Sequence, residues 1–170
     1  MVIKIVVMFM PEIKFIDEVL APTEEFTISY KGRNPFLIMT VILPLLREIL
    51  KVSSTNLFED DVRWDSFAEP KTFYGMWRGY MPGDRWTRTL IRVFAQGTKD
   101  KENYGDVTIR IRGYLITKFE YNYSISKAWW LLYNYSFYWR QRRAYLDYAR
   151  DMIHKLKEEI QAAYNILREE

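Results

Sequence analysis

The chain has 170 residues, 49% hydrophobic and 28% charged, the proportions of one folded domain with a sizeable core rather than a disordered tail or a two-domain enzyme. It has no cysteine and one histidine, His154, which removes disulfides, thiolate nucleophiles, thiolate metal sites and His-rich metal centres. The net charge of +3 hides a gradient: residues 1–70 carry 7 basic and 11 acidic groups, 71–113 carry 9 and 4, and 114–170 carry 9 and 7, so the middle of the chain is the cationic part.

Residues 1–22 are an N-terminal extension or an extra strand, apolar over 2–9 and broken by Pro11 and Pro22. Over 25–31, Phe26, Ile28 and Tyr30 alternate with Thr27, Ser29 and Lys31, the period of a half-buried strand. Asn34 and Pro35 then read as N-cap and first residue of a helical region over 35–52. Pro44 lacks an amide hydrogen and is expected to kink that region into a helix pair.

Four strand-like segments follow, over about 57–67, 72–81, 85–97 and 107–121. Pro82 and Gly83 read as a tight turn with Met81 opposite Asp84, a register that sets Gly75 against Leu90, Gly79 against Trp86, Trp77 against Arg88 and Phe73 against Arg92. In the last segment Val107, Ile109, Ile111, Leu115 and Phe119 share one face, and Arg110, Arg112, Lys118 and Glu120 the other. The polar loop before it leaves open whether Arg88 and Arg92 lie on the same face as Arg110 and Arg112.

From 126 to 168 the pattern is helical. Tyr145, Ala149, Met152, Leu156, Ile160, Ala163 and Leu167 form one apolar stripe, whereas 128–139 is apolar nearly all round and so calls for burial, a partner or lipid. The short runs near residue 1 and over 36–46 do not reach the length of a signal core or a membrane span, so a cytoplasmic location is expected.

Strand, kinked helix pair, antiparallel meander and long C-terminal helix resemble the helix-grip fold of the START and polyketide-cyclase proteins over about 145 residues, an α+β class. The resemblance implies a curved sheet gripping the last helix, with an apolar cavity between them suited to lipids, sterols or other hydrophobic ligands.

The remaining chemistry is sparse. Glu59, Asp60 and Asp61 with Asp65 match no calcium-loop spacing, His154 has no nucleophile tied to it, and the nucleotide, zinc-protease and hydrolase motifs are missing. Neither a metal nor a cofactor is expected, and the reading leans against an enzyme. Arg140, Arg142 and Arg143 form the densest basic cluster, read first as a solvated helix turn and second as a phosphate site.

The leading expectation is a module that holds a hydrophobic or amphipathic small molecule between sheet and C-terminal helix. Phe73, Trp77, Trp86, Trp129 and Trp130 would line the space, and Arg88 or Arg92 would meet an anionic head. The alternatives are a protein-interaction or homo-oligomeric module using 128–139, and nucleic-acid or anionic-lipid binding through the basic sheet residues. Nucleic acid is disfavoured by the lack of an RNP-type run.

Overall fold

Alternating polarity, clearest over 26–33, 71–82, 87–99 and 104–120, builds a six-stranded antiparallel sheet in the computed structural model, which describes residues 11–165 apart from 66 and 68. The strands are β1 (Glu12–Glu18), β2 (Phe26–Arg33), β3 (Leu57–Asp65), β4 (Lys71–Pro82), β5 (Thr87–Lys99) and β6 (Tyr104–Glu120). β3 to β6 form a meander. The seventeen-residue β6 is long enough to take two partners on its far side, β2 along its first half and β1 along its second.

The helical elements lie on one face of this sheet: α1 (Ile38–Leu50) after a 3-10 turn at Pro35–Leu37, α2 (Ser124–Tyr133), a π-helical turn at Asn134–Tyr138, and α3 (Trp139–Ala163). On α1, Ile38, Ile42, Leu46 and Leu50 recur every fourth residue and are buried. α3 contributes Ala149, Met152, Ile153, Leu156 and Ile160. Both rows close over Phe73, Trp77, Ile91, Val93, Ala95, Val107, Ile109 and Ile111 of the sheet. Fully burying an aliphatic side chain contributes roughly 1.5–3 kcal/mol, so this layer is the main source of stability. Gly113 lets the layers close: a Cβ there would lie 2.4 Å from Ile153 and 3.1 Å from Val19.

The α+β class and the four strands of the meander agree with the sequence, and several details differ. Residues 1–9 and Leu167 lie outside the described residues. The N-terminal strand that is described, β1, begins after Pro11, where Ile13 and Phe15 alternate with Glu12, Lys14 and Ile16. The helical region divides at Leu37 and Ile38, not at Pro44, which is exposed inside α1, so its missing hydrogen bond falls on the wet side of the helix. Asn34 makes no side-chain cap. It takes the left-handed conformation that Asn tolerates, and its amide donates to the Asn103 carbonyl at 2.7 Å.

The β4–β5 register is also corrected. Gly75 faces Ala95, Gly79 faces Ile91, Trp77 faces Val93 and Phe73 faces Gly97. The turn is wider than two residues because the Asp84 carboxylate accepts the amides of Trp86 and Thr87 at 2.8 and 2.9 Å, while the Gly83 and Asp84 amides donate to the Thr87 carbonyl. The shift is an odd number of residues, so it turns Arg88 and Arg92 to the face opposite Phe73 and Trp77.

Candidate interaction surface

The sequence-derived site residues separate into three places. Phe73 and Trp77 are in the core, 2% and 0% exposed. Phe73 meets Phe36 edge-on at 5.3 Å, and the Trp77 indole N–H donates to Glu59 at 3.2 Å. Arg88 and Arg92 lie on the outer sheet face, away from the helices, with Arg110 and Arg112. Trp86, Trp129 and Trp130 gather around α2.

The acidic run over 59–61, within β3, is consumed by its neighbours. Glu59 accepts from Trp77, Asp60 pairs with Arg78 at 3.0 Å, and Asp61 pairs with Arg63 at 2.8 Å. Among the described residues no group of three or more acidic, His or Cys side chains is placed to hold a metal. His154 is exposed and tilts against Phe26 at 4.9 Å. Arg142, from the basic cluster, pairs with Asp17 and lies over Phe15, and Arg140 lies over Trp139.

The 128–139 stretch shows two sides. Trp130, Asn134 and Tyr138 are buried at four-residue spacing. The Trp130 ring lies nearly parallel to Phe119 and Phe15, with centroids at 4.9 and 5.8 Å. Eight residues overshoot two α-helical turns by about 80°, and the additional residue in a π turn removes that offset. Tyr138 therefore stays on the sheet side with Trp130, and α3 continues from there with its stripe facing the core.

Tyr138 is held by a polar network at the wide turn between β4 and β5. Its hydroxyl donates to the Asp84 carboxylate at 2.7 Å, which orients the rest: Thr87, 2.6 Å away, donates to Tyr138, and Thr117 donates to Thr87 across 2.8 Å. Burial above all, together with the Asp84 carboxylate, pushes the Tyr138 hydroxyl well above the usual tyrosine range. Trp86 sets its ring edge-on to Tyr138 at 5.3 Å and to Tyr133 at 6.1 Å. The sequence reading sets Asp84 opposite Met81 as the end of a two-residue turn, whereas an Asp directly after Pro-Gly and shortly before a strand is itself a turn-forming signal.

The opposite side faces solvent. Trp129, Tyr135 and Phe137 are 69%, 71% and 69% exposed, and Tyr123, Ile125, Leu132, Tyr133 and Trp139 are exposed with them. At about 200 Å² for a large side chain, these eight expose on the order of 1,000 Å². That total is comparable to the ~800 Å² that each partner gives to a stable interface, and it is spread over more than one side of the segment. Among the described residues no helix is long and apolar enough to cross a membrane.

No family model and no curated protein matches the chain. Among solved structures, a similar chain is an uncharacterized protein from Rhizobium leguminosarum, 6% identical, covering 84% of this chain and 99% of that one at a TM-score of 0.22. A likeness at that score carries no argument about fold or function.

Proposed function

We propose that this protein is a binding module that works by docking its α2 and π-turn face onto another protein surface, with a second copy of the chain as the occupant that needs no additional component. The exposure of Trp129, Leu132, Tyr135, Phe137 and Trp139 on one short segment carries the reading. Trp, Tyr and Phe are the side chains enriched at interface centres, and a rigid helix presents them at low entropic cost. The network from Asp84 to Thr117 holds the segment in place, so the face is presented without prior rearrangement.

Sedimentation equilibrium tests the proposal. A concentration-dependent dimer is expected, and Trp129→Ser combined with Phe137→Ser is expected to return it to monomer with the circular dichroism unchanged. A strict monomer at 100-fold varied concentration, with α2 amides and side chains equally protected throughout, would sink the self-association reading. Lys127, Arg140 and Arg143 flank the aromatic face and favour a second reading, an anionic bilayer surface. Co-sedimentation with vesicles containing phosphatidylserine, but not with neutral ones, would select that reading.

The internal-ligand reading and the helix-grip resemblance stand as further proposals. In their favour are the element order and the aromatic content of the sheet. Against ranking them first, Phe73 and Trp77 are engaged in core contacts, and Arg88 and Arg92 point away from that space. Uptake of an apolar fluorescent probe, displaced by lipid extract and abolished by Trp77→Leu, would move the internal site ahead of the helix face.

A further inference from the structure

The outer face of the sheet carries an arrangement that folding alone disfavours. Arg78 on β4 lies directly opposite Arg92 on β5, and Arg92 lies directly opposite Arg112 on β6. Like charges at directly paired positions repel. The two outer arginines are neutralised, Arg78 by Asp60 at 3.0 Å and Arg112 by Glu25 at 2.7 Å. Among the described residues Arg92, in the middle, has no ion-pair partner, and its Nε is buried without a hydrogen bond.

The rows on either side are largely apolar. Tyr80, Leu90 and Tyr114 pair across the sheet on one side, and Met76, Phe94 and Arg110 on the other. Successive outward residues of a strand lie ~6.7 Å apart, so each flanking row is one such step from the arginine row. Arg88 lies over the Tyr80 ring at 4.8 Å and Arg110 over Phe94 at 5.8 Å, so two further guanidinium groups are held over rings on the two sides of the row. Planar guanidinium groups and aromatic faces are the surfaces on which unpaired bases stack. At Arg110 the face continues into an open depression of about 750 Å³ lined by Tyr74, Gln96, Thr108 and Arg110, with the acidic residues Asp65 and Asp106 in the same lining.

We infer that this face is a binding site for single-stranded nucleic acid, in which a phosphodiester group takes the Arg92 guanidinium between Arg78 and Arg112 and the flanking rows take bases. The site is on the other side of the sheet from α2 and is independent of the docking face. It also accounts for an uncompensated cation in the middle of a sheet, which ligand binding would neutralise.

Fluorescence anisotropy of a labelled single-stranded ten-nucleotide probe, read across salt concentration, tests the inference. Arg92→Gln is expected to weaken binding five-fold or more and to reduce the slope of log affinity against log salt by about one, relative to the unmodified chain. Arg85→Gln, on the exposed β4–β5 turn, is expected to leave binding within two-fold. Arg92→Lys keeps the charge without the fork and should retain the slope while losing affinity. Relief of the like-charge row should raise the thermal midpoint of ligand-free Arg92→Gln by about 2 °C at low salt, a readout that also shows the variant to be folded. Four results would overturn the assignment: no probe binding at low salt, equal losses for Arg92→Gln and Arg85→Gln, a duplex bound as tightly as the single strand, or displacement by tripolyphosphate at equal phosphate concentration.

Discussion

The Tyr164 hydroxyl and the Ile38 amide, 126 residues apart in sequence, form a buried 3.0 Å hydrogen bond, with the hydroxyl accepting. The same hydroxyl donates to the Pro35 carbonyl at 2.8 Å. One side chain after the end of α3 thus pairs two backbone groups where the 3-10 turn enters α1, and fixes the two helices against each other. Tyr164→Phe removes both buried hydrogen bonds, leaving the Ile38 amide only the Phe36 carbonyl, and should destabilise the fold by about 1–3 kcal/mol, read as a lower urea midpoint at unchanged m-value.

The same residue predicts an alkaline limit. Burial raises the Tyr164 hydroxyl from 10 to about 12. Because the folded state holds the proton more tightly than the unfolded chain, this contribution is fully present below pH 10 and is lost as pH rises toward 12. That difference between folded and unfolded states corresponds to roughly 2–3 kcal/mol. Urea unfolding between pH 9 and 11.5 should show stability falling with pH, and Tyr164→Phe should flatten part of that fall. Tyr138, raised in the same direction, leaves a residual slope.

Trp77 lies back over Gly75 on the inner face of β4. A Cβ at Gly75 would meet the indole at 2.1 Å and 2.6 Å, closer than any real contact, and the ring is enclosed. Gly75→Ala should therefore cost about 1–3 kcal/mol through overpacking. In a Trp77→Leu background the same substitution should cost much less, and a double-mutant cycle of thermal or urea stabilities gives the difference.

Much of the sheet is legible in the sequence because its signals are local. The alternation of Val107, Ile109 and Ile111 with Arg110 and Arg112 specifies a strand with one dry and one wet face whatever its neighbours are. What escaped are features set by a single non-local or polar contact. The β4–β5 register depends on whether Pro82 and Gly83 make a two-residue turn or Asp84 caps a wider one, and an odd shift sends Arg88 and Arg92 to the other face. The row formed by Arg78, Arg92 and Arg112 exists only once two registers are known. The extra strand that 1–22 allowed is β1, but its bounds and its pairing with β6, about a hundred residues away, were not legible because Asp17 and Glu18 weaken its alternation. The aromatic segment was recognisable as apolar all round, but which rings are buried depends on the π turn, for which we find no sequence marker.

The Asp84 network gives the most demanding prediction, because it connects a loop to a distant helix. Asp84→Ala removes the acceptor for the Trp86 and Thr87 amides and for the Tyr138 hydroxyl. Each bond to an ionised carboxylate is worth roughly 1.5–3 kcal/mol, part of which water recovers at the exposed side, so a loss of about 2–4 kcal/mol is expected. Tyr138→Phe alone should cost about 1–2 kcal/mol, since Thr87 keeps Thr117 as a partner. If the hydroxyl acts mainly through the carboxylate, Tyr138→Phe in the Asp84→Ala background should cost less than about 0.5 kcal/mol. Additive losses in that cycle would show the two groups to be independent. Hydrogen exchange supplies the second readout: either substitution should increase amide exchange in the π turn, while the amides of α3 around Leu156 remain protected by the core.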